Sequence, residues 1–186
     1  NTLQPVRLPH TCKETPFHYF DESLYQMVSG YRRHLLIPKD WQGKRILLTF
    51  EGAAHDSTVF CNGKKVGEHH CGYTAFTVDL TDNVLYGQDN LLCVRLDSRE
   101  NLNVPPFGYV IDYMTYGIYR DVRLEVKEKV SLSDIFVHTA IDFRSSPVTA
   151  QITSEITLTE SDENVTIRQY YMPKSTAAAQ ESWRLL

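Results

Sequence analysis

Apolar and polar residues alternate with a period of two through most of this chain. The alternation covers residues 45–51, 73–80, 90–97 and 118–127, and in the last of these Val122, Leu124 and Val126 face one way while charged residues face the other. This pattern is typical of antiparallel strands that are covered on one face only. Since no segment has the 3.6-residue periodicity and the caps of an amphipathic helix, the sequence predicts an all-β protein made of stacked antiparallel sheets.

A hairpin is predicted at Asn62-Gly63, between the short run 58–61 and residues 64–68. Asn-Gly supplies the two positive φ angles of a type I′ turn, whose twist matches that of the flanking strands. We interpret this pair as turn chemistry without a functional role.

The composition argues against several classes of function. A formal net charge of −4 and the lack of a basic stripe argue against a nucleic-acid partner, and no apolar run approaches the roughly 20 residues of a membrane-spanning helix. The four cysteines, Cys12, Cys61, Cys71 and Cys93, form no C-x-x-C pair. This spacing favours free thiols in a reducing compartment, so we predict a cytoplasmic location.

Charged residues at 127–129 separate two series of strands. We therefore predict one domain at residues 1–129 and a second at residues 130–186, where alternation resumes at 135–137, 152–158 and 165–167. An immunoglobulin-like domain takes about 7 strands and about 100 residues, whereas this second region offers only three or four candidate strands. Either the second domain is unusually small or the chain is cut within it, and we favour the cut.

One aromatic-rich segment carries the strongest functional signal. Asp112 lies among tyrosines, in a turn that ends at Gly117 directly before the alternating residues 118–127. An ionised carboxylate there can accept hydrogen bonds from two adjacent sugar hydroxyls, and rings such as Tyr113 and Tyr116 can stack on the apolar face of a sugar. The alternatives are that Asp112 caps a turn and that the rings pack against the sandwich or a neighbouring domain.

Several separated motifs between residues 5 and 128 resemble the amino-terminal sugar-binding domain of glycoside hydrolase family 2, which includes β-galactosidases, β-glucuronidases and β-mannosidases. In chain order they are Leu8-Pro9-His10-Thr11, Gly30-Tyr31-Arg32-Arg33, Phe50-Glu51-Gly52-Ala53, Val59-Phe60-Cys61-Asn62-Gly63, Gly72-Tyr73-Thr74-Ala75-Phe76, Asp89-Asn90-Leu91 and the residues 107–122 around Asp112. The family usually places two small residues before Ile-Tyr-Arg, whereas here Tyr116 is followed by Gly117 alone. Residues 130–186 resemble the start of the family's immunoglobulin-like domain more weakly.

The resemblance implies a jelly-roll-like β-sandwich followed by a partial immunoglobulin-like sandwich. It also implies that Asp112 reaches into the active site of a parent enzyme and binds the substrate, with Tyr113, Tyr116 and His10 as further substrate-binding residues. Retaining glycosidases need two carboxylates about 5 Å apart, and this family carries them on a (β/α)₈ barrel that 186 residues cannot include. We therefore predict no catalytic residue, metal or cofactor here, although the resemblance implies a sodium or magnesium ion in the parent enzyme.

Two other groups of residues have simpler explanations. Arg120 could orient a carboxylate such as Asp121, but an exposed arginine is the commoner outcome on a strand. His69, His70 and Cys71 are of zinc-ligand types. Adjacent strand residues point to opposite faces, however, so both imidazoles cannot bind one ion without a bulge.

Three functions remain, in order of preference. The first is the non-catalytic N-terminal part of a β-galactosidase-like retaining glycosidase that hydrolyses O-glycosidic bonds. Its partners would be the carbohydrate and the barrel of the same chain, and a homo-oligomeric parent stays open. The second is a stand-alone carbohydrate-binding module that binds sugar by itself. The third is a structural or oligomerisation domain whose exposed sheet face is buried against another subunit.

Overall fold

A computed structural model describes residues 3–13, 21–24, 26–105, 117–160, 164–171 and 184–185. Within these residues the regular structure is β-strand, apart from short 3₁₀ turns at Glu22–Leu24 and Lys39–Trp41. The chain divides into two compact units, Asn1–Lys129 and Val130–Leu186. In the described part of the chain, no helix is long and apolar enough to cross a membrane.

The first unit is an antiparallel β-sandwich. Its described residues form the strands β1 Val28–Ile37, β2 Arg45–Phe50, β3 Asp56–Cys61, β4 Lys64–His70, β5 Phe76–Asp79, β6 Gln88–Asp97 and β7 Val122–Lys127. One sheet has four strands in the order β1-β6-β3-β4, and the other has three in the order β5-β2-β7. Every pairing in both sheets is antiparallel. The predicted all-β fold of antiparallel sheets is therefore confirmed.

Both sheets contribute to one apolar core. Ile46 and Phe50 of β2, Val59 of β3 and Leu96 of β6 are each at most 1% exposed, and burial of a side chain of this size contributes about 1.5–3 kcal/mol. The apolar residues of β7, which are Val122, Leu124 and Val126, pack against the same core. The prediction that the apolar face of this strand is the covered one is therefore confirmed.

The hairpin between β3 and β4 has the predicted type I′ turn, with φ of +51° at Asn62 and +80° at Gly63. The Asn62 side chain does more than allow this turn. Its Nδ2 donates to Asn83 O and to Asn90 Oδ1, both at 2.8 Å, while its Oδ1 accepts from Leu91 N at 3.0 Å. The interpretation as turn chemistry alone is therefore incomplete, because the side chain also ties the hairpin to the start of β6.

Two strands are shorter than the alternation predicts. The predicted strand at 73–80 begins at Phe76, and the one at 118–127 begins at Val122. Ahead of β7, the Ile118 carbonyl oxygen accepts from His10 N at 2.8 Å instead of from a neighbouring strand. Alternation therefore indicates which residues can form a strand. The strand begins only where the backbone N–H and C=O groups pair with a neighbouring strand.

The second unit contains an antiparallel pair, β8 Leu132–Asp142 and β9 Thr149–Leu158, and a short pair, β10 Tyr170–Tyr171 and β11 Arg184–Leu185. Ile135 and Val137 of β8 share a face with Ile152 of β9, and all three are more than half exposed. The predicted runs at 135–137 and 152–158 are thus strands. The predicted run at 165–167 is wrong, because no strand forms between residues 164 and 169.

All four cysteines, Cys12, Cys61, Cys71 and Cys93, are free thiols, as their spacing predicts. The cytoplasmic location stays a prediction.

Candidate functional site

The candidate site consists of the two chain flanks around residues 106–116. Asp112, Tyr113 and Tyr116, which the sequence predicts to contact sugar, lie outside the residues that the structure describes. The described residues on either side are 103–105, here called the first flank, and 117–119, here called the second flank. These flanks are the two described stretches that adjoin the segment with Asp112.

The first flank is held by a turn and by one long-range contact. The Asn101 side chain accepts from Asn103 N at 3.0 Å, and Val104 N donates to Asn101 O at 3.1 Å. Val104 is 4% exposed, so an apolar anchor accompanies these hydrogen bonds. The carbonyl oxygen of the last residue, Pro105, accepts from Gly72 N at 2.7 Å.

The second flank begins at Gly117, which is closely enclosed. Gly117 has φ of +149°, a conformation that L-residues with a side chain rarely adopt. A Cβ at this position would lie 2.4 Å from His10 O and 2.8 Å from Tyr31 Oη. The Gly117 carbonyl oxygen accepts from Ala54 N at 3.0 Å. Only glycine fits this position without a shift of the surrounding chain.

Gly72 connects the two flanks. In addition to its bond to Pro105 in the first flank, its carbonyl oxygen accepts from the Tyr119 hydroxyl of the second flank at 2.6 Å. Burial raises the pKa of Tyr119, and Cys71 adds to the rise while Arg120 opposes it. Tyr119 therefore remains a neutral phenol and keeps the proton that this bond requires.

Gly52 leaves the space in which Tyr119 lies. A Cβ at Gly52 would be 2.8 Å from Tyr119 Cζ and 3.0 Å from Arg120 Cδ. The Arg120 guanidinium carbon lies 5.5 Å from the centroid of the Tyr119 ring. Arg120 therefore covers the tyrosine that connects the flanks, and within the described residues it forms no ion pair with Asp121.

His10 is the one sequence-predicted site residue that the structure describes. It is half-buried beside the second flank, where its backbone N–H donates to Ile118 O at 2.8 Å. Its Nδ1 lies 2.8 Å from the Tyr31 hydroxyl, and its ring meets the Tyr31 ring edge-on at 5.7 Å. His10 is therefore next to the point where the segment with Asp112 ends.

A polar cleft of about 340 Å³ opens beside the first flank. Its lining includes His55, Asp56, Asp97, Arg99 and Val104. The carboxylate of Asp97 accepts from Arg99 Nε at 2.8 Å and from Arg95 at 2.8 Å. The sequence alone does not indicate this cleft, because its residues come from two separate stretches of the chain, 55–56 and 97–104.

Asp97 and Arg99 form an ion pair in this cleft. The Arg99 side chain holds the pKa of Asp97 well below its ordinary value, and Arg95 adds to this effect. Burial lowers the pKa of His55, so its imidazole stays neutral at pH 7. The Asp97 carboxylate thus accepts hydrogen bonds from Arg95 and Arg99.

The two adjacent histidines have separate partners. His69 Nε2 lies 2.8 Å from Thr74 Oγ1, and its ring stacks on Phe76 at 4.5 Å. His70 Nδ1 lies 2.9 Å from Asp56 Oδ1. Among the residues with described positions, no group of three or more His, Cys, Asp or Glu side chains could hold a metal ion.

Comparison with known proteins gives this geometry a context. Residues 14–128 match the model of the sugar binding domain of glycosyl hydrolases family 2. The chain is 41% identical over 138 residues to a β-galactosidase of Thermoanaerobacter pseudethanolicus, a match that covers 73% of this chain and 19% of that protein. It is 37% identical over 131 residues to a β-glucuronidase of Bacteroides fragilis, covering 70% of this chain and 19% of that protein.

The fold agrees with these matches. The solved structure of a β-glucuronidase from an uncultured Clostridium species superimposes with a TM-score of 0.70 at 24% identity, covering 98% of this chain and 34% of that one. The chain spans about a fifth of the length of the curated relatives that it matches. On the family match over residues 14–128, the chain belongs to glycosyl hydrolases family 2 and contains the sugar binding domain of that family.

Proposed function

We propose that this chain is the N-terminal part of a retaining β-glycosidase and forms one wall of its active site. In this role Asp112 accepts hydrogen bonds from sugar hydroxyls, and Tyr113, Tyr116 and His10 line the same wall. Each charge-assisted bond to the carboxylate contributes about 1.5–3 kcal/mol. The two catalytic carboxylates would belong to a barrel elsewhere in the full-length protein.

The observation that carries this proposal is the fixed position of both flanks. Gly72 bonds to Pro105 on one side and to Tyr119 on the other, and Gly117 is enclosed by His10 and Tyr31. A binding residue is effective only when its position is fixed before the ligand arrives, because ordering it on binding costs free energy. Anchoring at both ends is the arrangement that a substrate-contacting segment requires.

A β-galactoside is the proposed substrate class. The support is the 41% identity to a relative named β-galactosidase, compared with 37% to one named β-glucuronidase. A glucuronide differs in carrying a carboxylate, which calls for cationic partners. Kinetics of the full-length protein with nitrophenyl galactoside and nitrophenyl glucuronide would decide between the two.

The family resemblance also implies a sodium or magnesium ion in the full-length enzyme. Over the described ranges, no cluster of three or more potential metal ligands is present. No step of the proposed function uses such an ion.

The decisive variant is Asp112→Ala in the full-length protein. We expect kcat/KM for a β-galactoside to fall at least about tenfold, which corresponds to about 1.4 kcal/mol of transition-state binding. Asp82→Ala removes a carboxylate from the exposed turn between β5 and β6 and serves as the matched control. Unchanged kinetics for Asp112→Ala would reject the assignment of this residue.

Calorimetric titration of the 186-residue chain with galactose addresses the alternative functions. A wall that lacks the rest of its pocket should bind galactose negligibly, whereas a stand-alone carbohydrate-binding module should bind it measurably. A flat titration together with a concentration-dependent dimer in light scattering would favour an oligomerisation domain.

A further inference from the structure

The hydroxyl group of Tyr31 is a meeting point of three chain segments. Tyr31 lies in β1, and its hydroxyl is 2.8 Å from His10 Nδ1 and 3.3 Å from Cys12 Sγ in the N-terminal segment. The backbone of Ile118 in the second flank also interacts with this hydroxyl. One side-chain oxygen thus connects the four-stranded sheet, residues 10–12 and the chain that follows residue 116.

The hydrogen-bonding capacity of this hydroxyl is used under either tautomer of His10. A phenol has one donor and two acceptor positions. If His10 Nδ1 carries no proton, Tyr31 donates to it and accepts from the Cys12 thiol. If Nδ1 is protonated, it donates to Tyr31, which then donates to Cys12 Sγ. Burial, supported by the Cys12 hydrogen bond, raises the pKa of Tyr31, so the phenol stays protonated at neutral pH.

Gly117 lies directly against this cluster. A Cβ at Gly117 would be 2.8 Å from the Tyr31 hydroxyl and 3.3 Å from Cys12 N. The Gly117 Cα is one C–C bond away from this Cβ position, so Gly117 packs directly against both groups, and closely packed atoms do not shift independently. A change in the position of the Tyr31 hydroxyl or of His10 therefore changes the space that Gly117 occupies.

We propose that Tyr31 is a positioning residue for the sugar-contacting wall: its hydroxyl holds His10, Cys12 and the second flank in one arrangement, and it contacts no substrate itself. The inference rests on the proposed function, since it assigns the support of that wall. It follows that loss of the hydroxyl should weaken sugar binding through the second flank more than it weakens the sandwich.

The test uses the full-length protein with four variants: Tyr31→Phe, Tyr86→Phe, Asp112→Asn, and Asp112→Asn combined with Tyr31→Phe. Tyr86→Phe is the matched control, because the Tyr86 hydroxyl donates to Thr81 O at 3.3 Å in the turn that follows β5, so the same group is lost elsewhere. We expect Tyr31→Phe to raise KM for nitrophenyl galactoside and the inhibition constant of galactose at least fivefold, with a much smaller change in kcat. Tyr86→Phe should leave all three unchanged.

The double variant separates positioning from general destabilisation. If Tyr31 acts through the wall that contains Asp112, Tyr31→Phe should raise KM by a smaller factor in the Asp112→Asn protein than in the unsubstituted protein. The reason is that the two substitutions remove the same interaction. Thermal unfolding midpoints of the Tyr31→Phe and Tyr86→Phe proteins should be alike.

The possible results are distinguishable. If Asp112→Asn lowers kcat/KM but Tyr31→Phe behaves as Tyr86→Phe does, the inference is overturned while the proposed function stands. If Asp112→Asn keeps full activity, the proposed sugar contact fails, and the inference fails with it.

A second pair of variants applies if Tyr31→Phe does not fold. Asn can place a polar atom near the position of His Nδ1, whereas Leu cannot, so His10→Asn should retain galactose inhibition better than His10→Leu. Equal losses in these two variants would overturn the positioning role of the cluster.

Discussion

The Tyr119 hydroxyl donates a 2.6 Å hydrogen bond to the carbonyl oxygen of Gly72, whose own N–H donates to Pro105 O at 2.7 Å. One glycine residue thereby joins the residue that precedes segment 106–116 to a residue just after it. The match to the sugar binding domain covers this region, and the two bonds hold Pro105 and Tyr119 to the same residue.

Replacing Tyr119 with Phe should weaken this connection. The substitution leaves the Gly72 carbonyl oxygen without this donor, and such a loss costs about 1 kcal/mol of unfolding free energy. Urea unfolding of Tyr119→Phe measures the loss. Tyr170→Phe is the control, because Tyr170 is 50% exposed and should change stability by only a few tenths of a kcal/mol. Equal stability of Tyr119→Phe and the unsubstituted protein would contradict a stabilising role for this bond.

Gly117→Ala should be strongly destabilising. Its φ of +149° is unfavourable for alanine, and the new Cβ would lie 2.4 Å from His10 O; backbone strain of this kind costs about 1–3 kcal/mol before the overlap is added. Gly30→Ala in β1 is the matched control, since a Cβ there meets nothing within 4 Å and should stabilise by about 0.4–1 kcal/mol through the unfolded state. In urea unfolding, we expect the free energy of unfolding to fall for Gly117→Ala and to rise for Gly30→Ala. Changes of the same sign would show that the atoms around Gly117 leave room for a Cβ.

Asn90→Ala should cost about 3 kcal/mol of stability. The side chain is 1% exposed, its Oδ1 accepts from Leu85 N at 2.7 Å, and its Nδ2 donates to Leu85 O at 2.9 Å. Alanine leaves these part-buried backbone groups without their partner, at about 1–3 kcal/mol each. Exposed Asn103→Ala provides the comparison in the same denaturant series. A loss no larger than that of Asn103→Ala would show that water replaces the amide.

Asp97 should make stability depend on pH in the acid range. Its folded-state pKa is lowered, first by the Arg99 side chain, so its contribution is fully present above the unfolded-state pKa of about 3.9 and is lost as pH falls below it. Asp97→Asn should therefore be less stable than the unsubstituted protein at pH 7 and pH 5, with the difference narrowing at pH 3. Urea unfolding at these three pH values measures it, and a constant difference would assign the effect to packing.

Only part of the candidate site could be predicted from the sequence. The motif around Asp112 resembles the sugar-binding domain, and the family match over residues 14–128 confirms that resemblance. The roles of Asp112, Tyr113 and Tyr116 stay predictions. His10 lies beside the second flank. The sequence does not indicate its partner Tyr31 as a site residue, because a tyrosine at a half-buried position of an alternating strand looks like any other half-buried strand residue.

The sequence by itself determined the β-strands, the antiparallel character of the sheets, the type I′ turn and the free thiols. These features follow from alternation, turn residues and spacing, which act over a few residues. Only the tertiary structure decided which distant groups meet. His10 and Tyr31 are 21 residues apart and Gly72 and Tyr119 are 47 residues apart. Contacts over such distances depend on sheet order and register, which arise when two sheets bury a common core, and no local pattern specifies them.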